Sequence, residues 1–82
     1  MMTLVKEEIR EKMLELTRKR GPKSSICPSE VVRALYDDWR PLMDTVREVA
    51  AEEVKAGRIR VTQRGNDVDI ETVKGPVRLA IP

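Results

Sequence analysis

Residues 26–56 constrain the fold most, because two helical patterns lie there on either side of a short polar turn. The run Cys27-Pro28-Ser29-Glu30 is typical of a helix start, since proline suits the first helical position and the glutamate can reach back to the N-cap amide. We predict a helix over residues 28–36. The Asp37-Asp38 pair forms the predicted turn, and its second residue is the predicted N-cap of the next helix, which Gly57 ends.

A longer helix is predicted ahead of this pair, over residues 4–20. Its apolar side chains recur at spacings of four, four and three, which places them on one helical face. These side chains are Val5, Ile9, Met13 and Leu16. The pair Gly21-Pro22 ends the helix, because glycine accepts the left-handed conformation and proline cannot continue a helix.

Strand patterns follow the helices. Apolar and polar side chains alternate over residues 58–62, and residues 76–81 repeat the alternation. These two strands are expected to pair antiparallel and to cover the helices with their apolar faces. Residues 64–75 between them are predicted to form a long polar loop, the wing. The dipeptide Ser25-Ile26 can add a third strand to the hairpin.

This order of elements indicates an α+β fold of the winged helix-turn-helix type, with three helices and a C-terminal β-hairpin wing. At 82 residues the chain has room for one domain, predicted to span residues 1–82. Phe is absent, and Tyr36 and Trp39 are the only aromatic residues. The core therefore has to be aliphatic, and no base-stacking platform for single strands is expected.

The composition excludes several kinds of chemistry. The chain has no histidine and one cysteine, so the usual residue sets for acid–base, nucleophilic and zinc chemistry are missing. We expect a protein that is not an enzyme and that uses no metal or other cofactor. No apolar run reaches the roughly 18 residues that span a bilayer, and the N-terminus is charged within a few residues. These features predict a cytoplasmic protein without a membrane partner.

The third predicted helix carries the first candidate contacts with nucleic acid. Its non-core face has Arg40 and Arg47, whose guanidinium groups suit guanine edges or phosphates. Asp44 and Glu48 share this face and would repel phosphate. The alternative is therefore a solvated helix whose opposite charges pair one turn apart.

A second set of candidates lies on the outward face of the hairpin and in the wing. These residues are Arg58, Arg60, Arg64, Lys74 and Arg78. Like charges on one sheet face are mildly destabilising, so such a cluster is either neutralised by acidic neighbours or meets an anion. Phosphate contacts along a DNA backbone are one use, and a charged face that prevents edge aggregation is the alternative. The basic run at residues 18–23 complements the helix dipole, and would extend this surface if it lay near the sheet.

Four segments of the chain resemble a known family. They read SICPSEVVRAL, DWRPLMDTVREVA, AGRIRVTQRG and KGPVRLAI, and together they cover most of the chain from about Ser24. They resemble a family of short bacterial proteins catalogued as a domain of unknown function with a winged-helix fold. The resemblance implies that fold, and it implies no activity, substrate or site residue.

Two functional hypotheses follow. The leading one is binding of duplex DNA, as in a transcriptional regulator, with the third helix in the groove and the wing on phosphates. The alternative is a protein-interaction or dimerisation module that keeps the fold without binding nucleic acid. Charge placement distinguishes them. Arginines on one continuous face favour DNA, whereas arginines paired with Glu52, Glu53 or Glu71 favour the interaction module. The small net charge of +2 is compatible with both.

Overall fold

Three α-helices precede a three-stranded antiparallel sheet in the computed structural model, which describes the backbone of residues 2–82 and the side chains of residues 4–82. The elements are α1 (Met2–Arg20), α2 (Pro28–Arg33), a 3-10 turn (Arg40–Leu42), α3 (Met43–Lys55), β1 (Arg60–Gln63), β2 (Asn66–Asp67) and β3 (Arg78–Ala80). The α+β class predicted from the sequence is confirmed. The order of elements is compatible with a winged helix-turn-helix layout.

The predicted first helix is confirmed, and its apolar face is the one that packs inward. Ile9 and Met13 are fully buried, and Leu16 is partly buried. Thr17 is also fully buried, because its hydroxyl donates to the Met13 carbonyl oxygen at 2.8 Å and so needs no water. Gly21, with a φ of 81°, follows the last helical residue.

The start of α3 differs from the prediction. Glu30 does accept a hydrogen bond from the Cys27 amide at 2.7 Å, as expected for the start of α2. However, α2 ends at Arg33, and Asp38 is not the N-cap of the next helix. Trp39 precedes the 3-10 turn, and α3 begins at Met43. Pro41 explains the tighter first turn, since its ring and missing N–H disfavour regular α-helical bonding around it.

The predicted antiparallel pairing of the two strands is confirmed between β1 and β3. Strand β1 lies between β2 and β3, and Val61 is opposite Leu79. The expected third strand at Ser25-Ile26 is a single bridge, in which Ile26 and Leu79 exchange backbone hydrogen bonds at 2.8 and 2.9 Å. The sheet therefore continues from β3 toward the segment that precedes α2.

The wing differs from the predicted long loop over residues 64–75. Arg64 and Gly65 both have positive φ angles, 54° and 84°, as a two-residue type I′ turn requires. The chain then returns as β2, with Asn66 opposite Gln63, and an irregular segment over residues 68–77 leads into β3. The sequence signal for this turn is weak because arginine, unlike asparagine, rarely adopts positive φ.

One apolar core joins the helices to the inner face of the sheet. Buried members are Ile9, Met13, Ile26, Val31, Val32, Val46, Val49, Ala50, Ile59, Val61, Ile70, Val77 and Leu79. Trp39, at the corner between α2 and α3, is partly buried and packs against this core. The core is aliphatic, in agreement with the composition. No helix within residues 2–82 is long and apolar enough to cross a membrane.

Candidate nucleic-acid interface

The pairing of the strands sets which charged side chains share the outward face of the sheet. Thr62 lies opposite both Asp67 of β2 and Arg78 of β3, so the three residues form a row across the sheet. Arg60 lies two residues before Thr62 and therefore points to the same side. The observed register confirms the prediction that Arg60 and Arg78 share a face.

A surface groove of about 500 Å³ lies where the hairpin meets the segment before β3. We call it the wing groove; its lining residues are Gln63, Arg64, Lys74, Gly75, Pro76 and Arg78. The Gln63 side-chain amide donates to the carbonyl oxygens of Lys74 at 2.7 Å and Pro76 at 3.1 Å. These two bonds hold the irregular segment before β3 against the end of β1, and so fix the shape of the groove.

The wing groove carries three exposed cationic side chains, Arg64, Lys74 and Arg78. Within the described residues, none of the three forms an ion pair with a carboxylate. Arg78 donates from Nε to the Ser25 hydroxyl and from Nη2 to the Ser25 carbonyl oxygen, both at 3.0 Å. Those acceptors are neutral, so the guanidinium keeps its full charge while its position is fixed.

The C-terminal end of α1 adjoins the wing groove. Arg20 donates from Nη1 to the Ser25 carbonyl oxygen at 3.0 Å, the same oxygen that Arg78 contacts. Two guanidinium groups therefore converge on one acceptor, and only Arg20 has a carboxylate partner, Glu30 at 2.9 Å. Arg20 was absent from the predicted site residues. Its signal was the basic run at residues 18–23, which the helix dipole also explains.

Arg58 is not part of this basic surface, although the sequence predicted it there. Its Nε and Nη2 donate to both carboxylate oxygens of Glu53, at 2.6 and 2.9 Å. Glu53 is fully buried and also accepts from Arg10 at 2.7 Å. The hydrogen bond from Arg58, joined by that from Arg10, holds the pKa of the Glu53 carboxyl below its ordinary value.

Arg60 lies on the outward face of the sheet but is neutralised there. Its Nε and Nη2 lie 3.0 and 2.9 Å from Oδ1 of Asp67, across the hairpin. Both side chains are substantially exposed, so the pair is worth less than about 1 kcal/mol and can open toward a stronger anion.

The two arginines predicted at the third helix do not join the wing groove. Arg47 donates to the carbonyl oxygens of Gly75 at 3.1 Å and Ile70 at 3.5 Å, which ties α3 to the irregular segment after β2. The Cζ atom of Arg40 lies 4.7 Å from the centroid of the Trp39 ring, and that of Arg33 lies 5.8 Å from it. Arg33 was not predicted, because its contact depends on the corner between α2 and α3.

A second groove, of about 410 Å³, runs along the outward face of α3, and acidic residues dominate it. We call it the α3 groove; its lining residues are Asp44, Arg47, Glu48, Ala51, Glu52, Lys55 and Glu71. Lys6 of α1 lies 2.9 Å from Glu48 and 2.8 Å from Glu52. Hydrogen bonds from Lys6 and then Arg10 lower the pKa of the Glu52 carboxyl. The α3 groove therefore has four carboxylates and two cations in its lining, and Lys6 and Arg10 partly neutralise Glu48 and Glu52 from α1.

Comparison with known proteins gives a family and no activity. A family model described as "Protein of unknown function (DUF3253)" matches residues 6–82. The chain belongs to the DUF3253 family. This confirms the resemblance to a domain-of-unknown-function family. No curated protein matches the chain.

In this DUF3253 chain the fold brings some of the predicted contact residues together and gives the others separate partners. Arg64, Lys74 and Arg78 come together in the wing groove, whereas the four other predicted residues are engaged elsewhere. Those four are Arg40, Arg47, Arg58 and Arg60. Among the described residues, no group of three or more Cys, His, Asp and Glu side chains could hold a metal ion. The chemistry that this surface offers is the binding of an anion.

Proposed function

We propose that this DUF3253 chain is a winged helix-turn-helix protein that binds duplex DNA, with the wing groove on the phosphate backbone. The observation that carries the proposal is the convergence of Arg64, Lys74 and Arg78 in one groove, where none of them pairs with a carboxylate among the described residues. The order of elements supports the fold, including the bridge from Ile26 to β3 ahead of α2.

The close spacing of phosphates on duplex DNA suits a short basic surface such as the wing groove. Duplex DNA carries one negative charge for every 1.7 Å or so of its axis, so a short basic face can meet several phosphates at once. Three groove cations and the adjoining Arg20 span the width of the sheet from β1 to the end of α1. Each phosphate contact contributes about 0.9 to the slope of log affinity against log salt. We therefore expect a slope of about −3.

The test is fluorescence anisotropy of a labelled random duplex, titrated with the protein at about 50 and about 200 mM salt. The proposal expects saturable binding at the lower salt and roughly 60-fold weaker binding at the higher salt. Circular dichroism of the same sample shows that the protein is folded.

A pair of matched variants links the binding to the wing groove. Arg64→Asn with Lys74→Gln removes two groove cations, and Lys12→Gln with Lys55→Gln removes two cations elsewhere, each paired with a glutamate. Both variants have the same net charge. The first should lower the slope by about 1.8, and the second should leave it within about 0.5 of the wild-type value. Equal losses in the two variants, or no binding by the folded wild type, would contradict the proposal.

The acidic α3 groove favours a second candidate, a protein-interaction or dimerisation module. Arg58 is paired with Glu53, which is the charge placement expected for such a module, and Arg60 is paired with Asp67 instead. Sedimentation equilibrium between about 10 and 200 μM tests the dimer, since a specific interface of standard size is stable in this range. Concentration-dependent dimerisation without DNA binding would favour this candidate over the first.

A further inference from the structure

We infer that the chain holds duplex DNA by its backbone alone, with α3 outside the major groove, so that binding is nearly independent of sequence. This inference rests on the proposed function and concerns the same wing groove. It departs from the usual arrangement in a helix-turn-helix protein, where the second helix of the pair enters the major groove and reads base edges.

Acidic side chains outnumber basic ones on the outward face of α3. Asp44 and Glu48 are exposed, and Glu52 and Glu71 line the same groove. Arg47 and Lys55 line that groove too, and Lys6 and Arg10 of α1 pair with Glu48 and Glu52. Asp44 forms no ion pair with any of the described residues. A major groove is bounded by two phosphate strands, so inserting this face would place several carboxylates between them.

The basic side chains of α3 already contact other residues of the chain. Arg47 spends both Nη atoms on the Ile70 and Gly75 carbonyl oxygens, and Lys55 lies 3.3 Å from Glu71. Arg40, in the 3-10 turn before α3, stacks on Trp39. Arg47, the one arginine within α3, is therefore not free to form the bidentate contact that distinguishes guanine from other bases.

The segment after β2 also restricts access to α3. The irregular segment after β2 lies alongside α3, where Ile70 is buried and Val68 and Val73 pack against the core. The Arg47 hydrogen bonds tie this segment to the outward side of α3. The segment therefore lies beside Ala51, Val54 and Lys55 and restricts the approach of a duplex to the C-terminal half of α3.

The wing groove itself offers little sequence readout. The Gln63 amide nitrogen is committed to two carbonyl oxygens, and Arg78 is committed to Ser25. Lys74 acts as a point charge. Arg64 lies at the tip of the two-residue turn, where it can reach a minor groove, and the minor groove distinguishes little beyond A·T from G·C.

The test is selection of bound duplexes from a random-sequence pool, followed by dimethyl sulfate interference on the bound fraction. The inference expects no motif, less than about fivefold spread in affinity among selected duplexes, and no interference from methylation of guanine N7 in the major groove. Enrichment of one motif by 30-fold or more, or interference at guanine N7, would overturn it and leave the proposed function standing.

A variant of α3 provides a second readout. Asp44→Asn with Glu48→Gln removes two exposed carboxylates, and measurement at about 150 mM salt screens their action beyond roughly 8 Å. Affinity should change by less than about threefold if α3 stays outside the groove, and rise by tenfold or more if α3 lies between the phosphate strands. Absence of binding to every duplex at low salt defeats the proposed function and this inference together, a result distinct from sequence-specific binding.

Discussion

At the scale of single residues, Glu53 is the buried carboxylate on which the charged network depends. Its two oxygens accept hydrogen bonds from Arg10 on α1 and from Arg58 ahead of β1. A charge taken out of water is tolerated only when it is paired and hydrogen-bonded. The contact therefore joins three parts of the chain that the apolar core also joins.

Glu53→Gln should lower the free energy of unfolding by about 2 kcal/mol, because the neutral amide leaves two guanidinium groups without their charged acceptor. For a chain of this size that corresponds to a fall in Tm of roughly 10 °C. Glu48→Gln is the control, since Glu48 is exposed and solvent weakens its pair with Lys6. Thermal unfolding followed by circular dichroism compares the two, and equal losses would contradict a special role for Glu53.

A single substitution at Arg64 is expected to change DNA binding and stability in opposite directions. It holds a φ of 54°, which is unfavourable for arginine and acceptable for asparagine. Arg64→Asn should therefore raise the free energy of unfolding by about 0.5 kcal/mol while lowering the salt slope of DNA binding by about 0.9. Urea unfolding and anisotropy measure the two effects. A variant that is less stable than the wild type would contradict the assigned turn.

The charged residues also show what a sequence can and cannot reveal about a site. The residue types were predictable, because arginine and lysine suit phosphate. Their partners depend on the turn at Arg64 and Gly65, which brings Asp67 to Arg60 across the hairpin. The contacts of Arg47 join it to residues 23 and 28 positions away, and no local pattern reports such a distance.

At the scale of elements, the wing is shaped by side chains that do not themselves contact an anion in the proposal. Gln63 holds the Lys74 and Pro76 carbonyl oxygens, and Arg47 holds that of Gly75. Gly75 has a φ of 91°, and a Cβ there would lie 3.3 Å from the Gln63 amide nitrogen. The segment is therefore built to lie close to the end of β1.

Gln63→Ala should release this segment without removing any cation. We expect affinity for duplex DNA to fall by three- to tenfold, because Lys74 no longer has a fixed position and pays an ordering cost on binding. Amide hydrogen exchange at residues 74–77 should speed up, while Tm changes by less than about 5 °C. Asn66→Ala, opposite Gln63 on β2, is the matched control. Unchanged exchange in Gln63→Ala would show that other contacts hold the segment.

Elements with strong periodicity were predicted from the sequence, and those set by one unusual residue were not. The apolar stripe of α1 and the alternation in β1 each report which face is buried, and the structure agrees. In the last strand Val77 and Leu79 are buried as expected, but Ala80 is buried as well. The N-cap of α3 was misplaced because Pro41 tightens the first turn. The short strand β2 was missed because Arg-Gly is a rare sequence for its turn.

At the scale of the whole molecule, one network of ion pairs connects α1, α3 and the residues that precede β1. It includes Lys6, Glu7, Arg10, Glu48, Glu52, Glu53 and Arg58. Hydrogen bonds from these cations lower the pKa of both Glu52 and Glu53 relative to the ordinary value of 4.5. Each such carboxyl binds its proton less readily in the folded protein than in the unfolded chain.

The stability should therefore depend on pH in the acid range. A lowered carboxyl pKa contributes stability that is fully present above the ordinary value of 4.5 and is lost as pH falls through the folded value. We expect an unchanged urea midpoint between about pH 7 and 5.5, and a steady fall below about pH 4.5. Glu52→Gln with Glu53→Gln should be less stable at neutral pH and lose less on acidification. An equally steep loss in that variant would assign the acid transition to other groups.

The central claim is that the wing groove, and not α3, is the surface that meets duplex DNA. Chemical-shift perturbation in an isotope-labelled sample, titrated with a short random duplex at about 50 mM salt, tests it most directly. We expect the amide shifts to concentrate at residues 63–65 and 74–78, to extend to residues 20–25, and to stay small at residues 44–55. Shifts concentrated along α3, or none at saturating duplex, would contradict it.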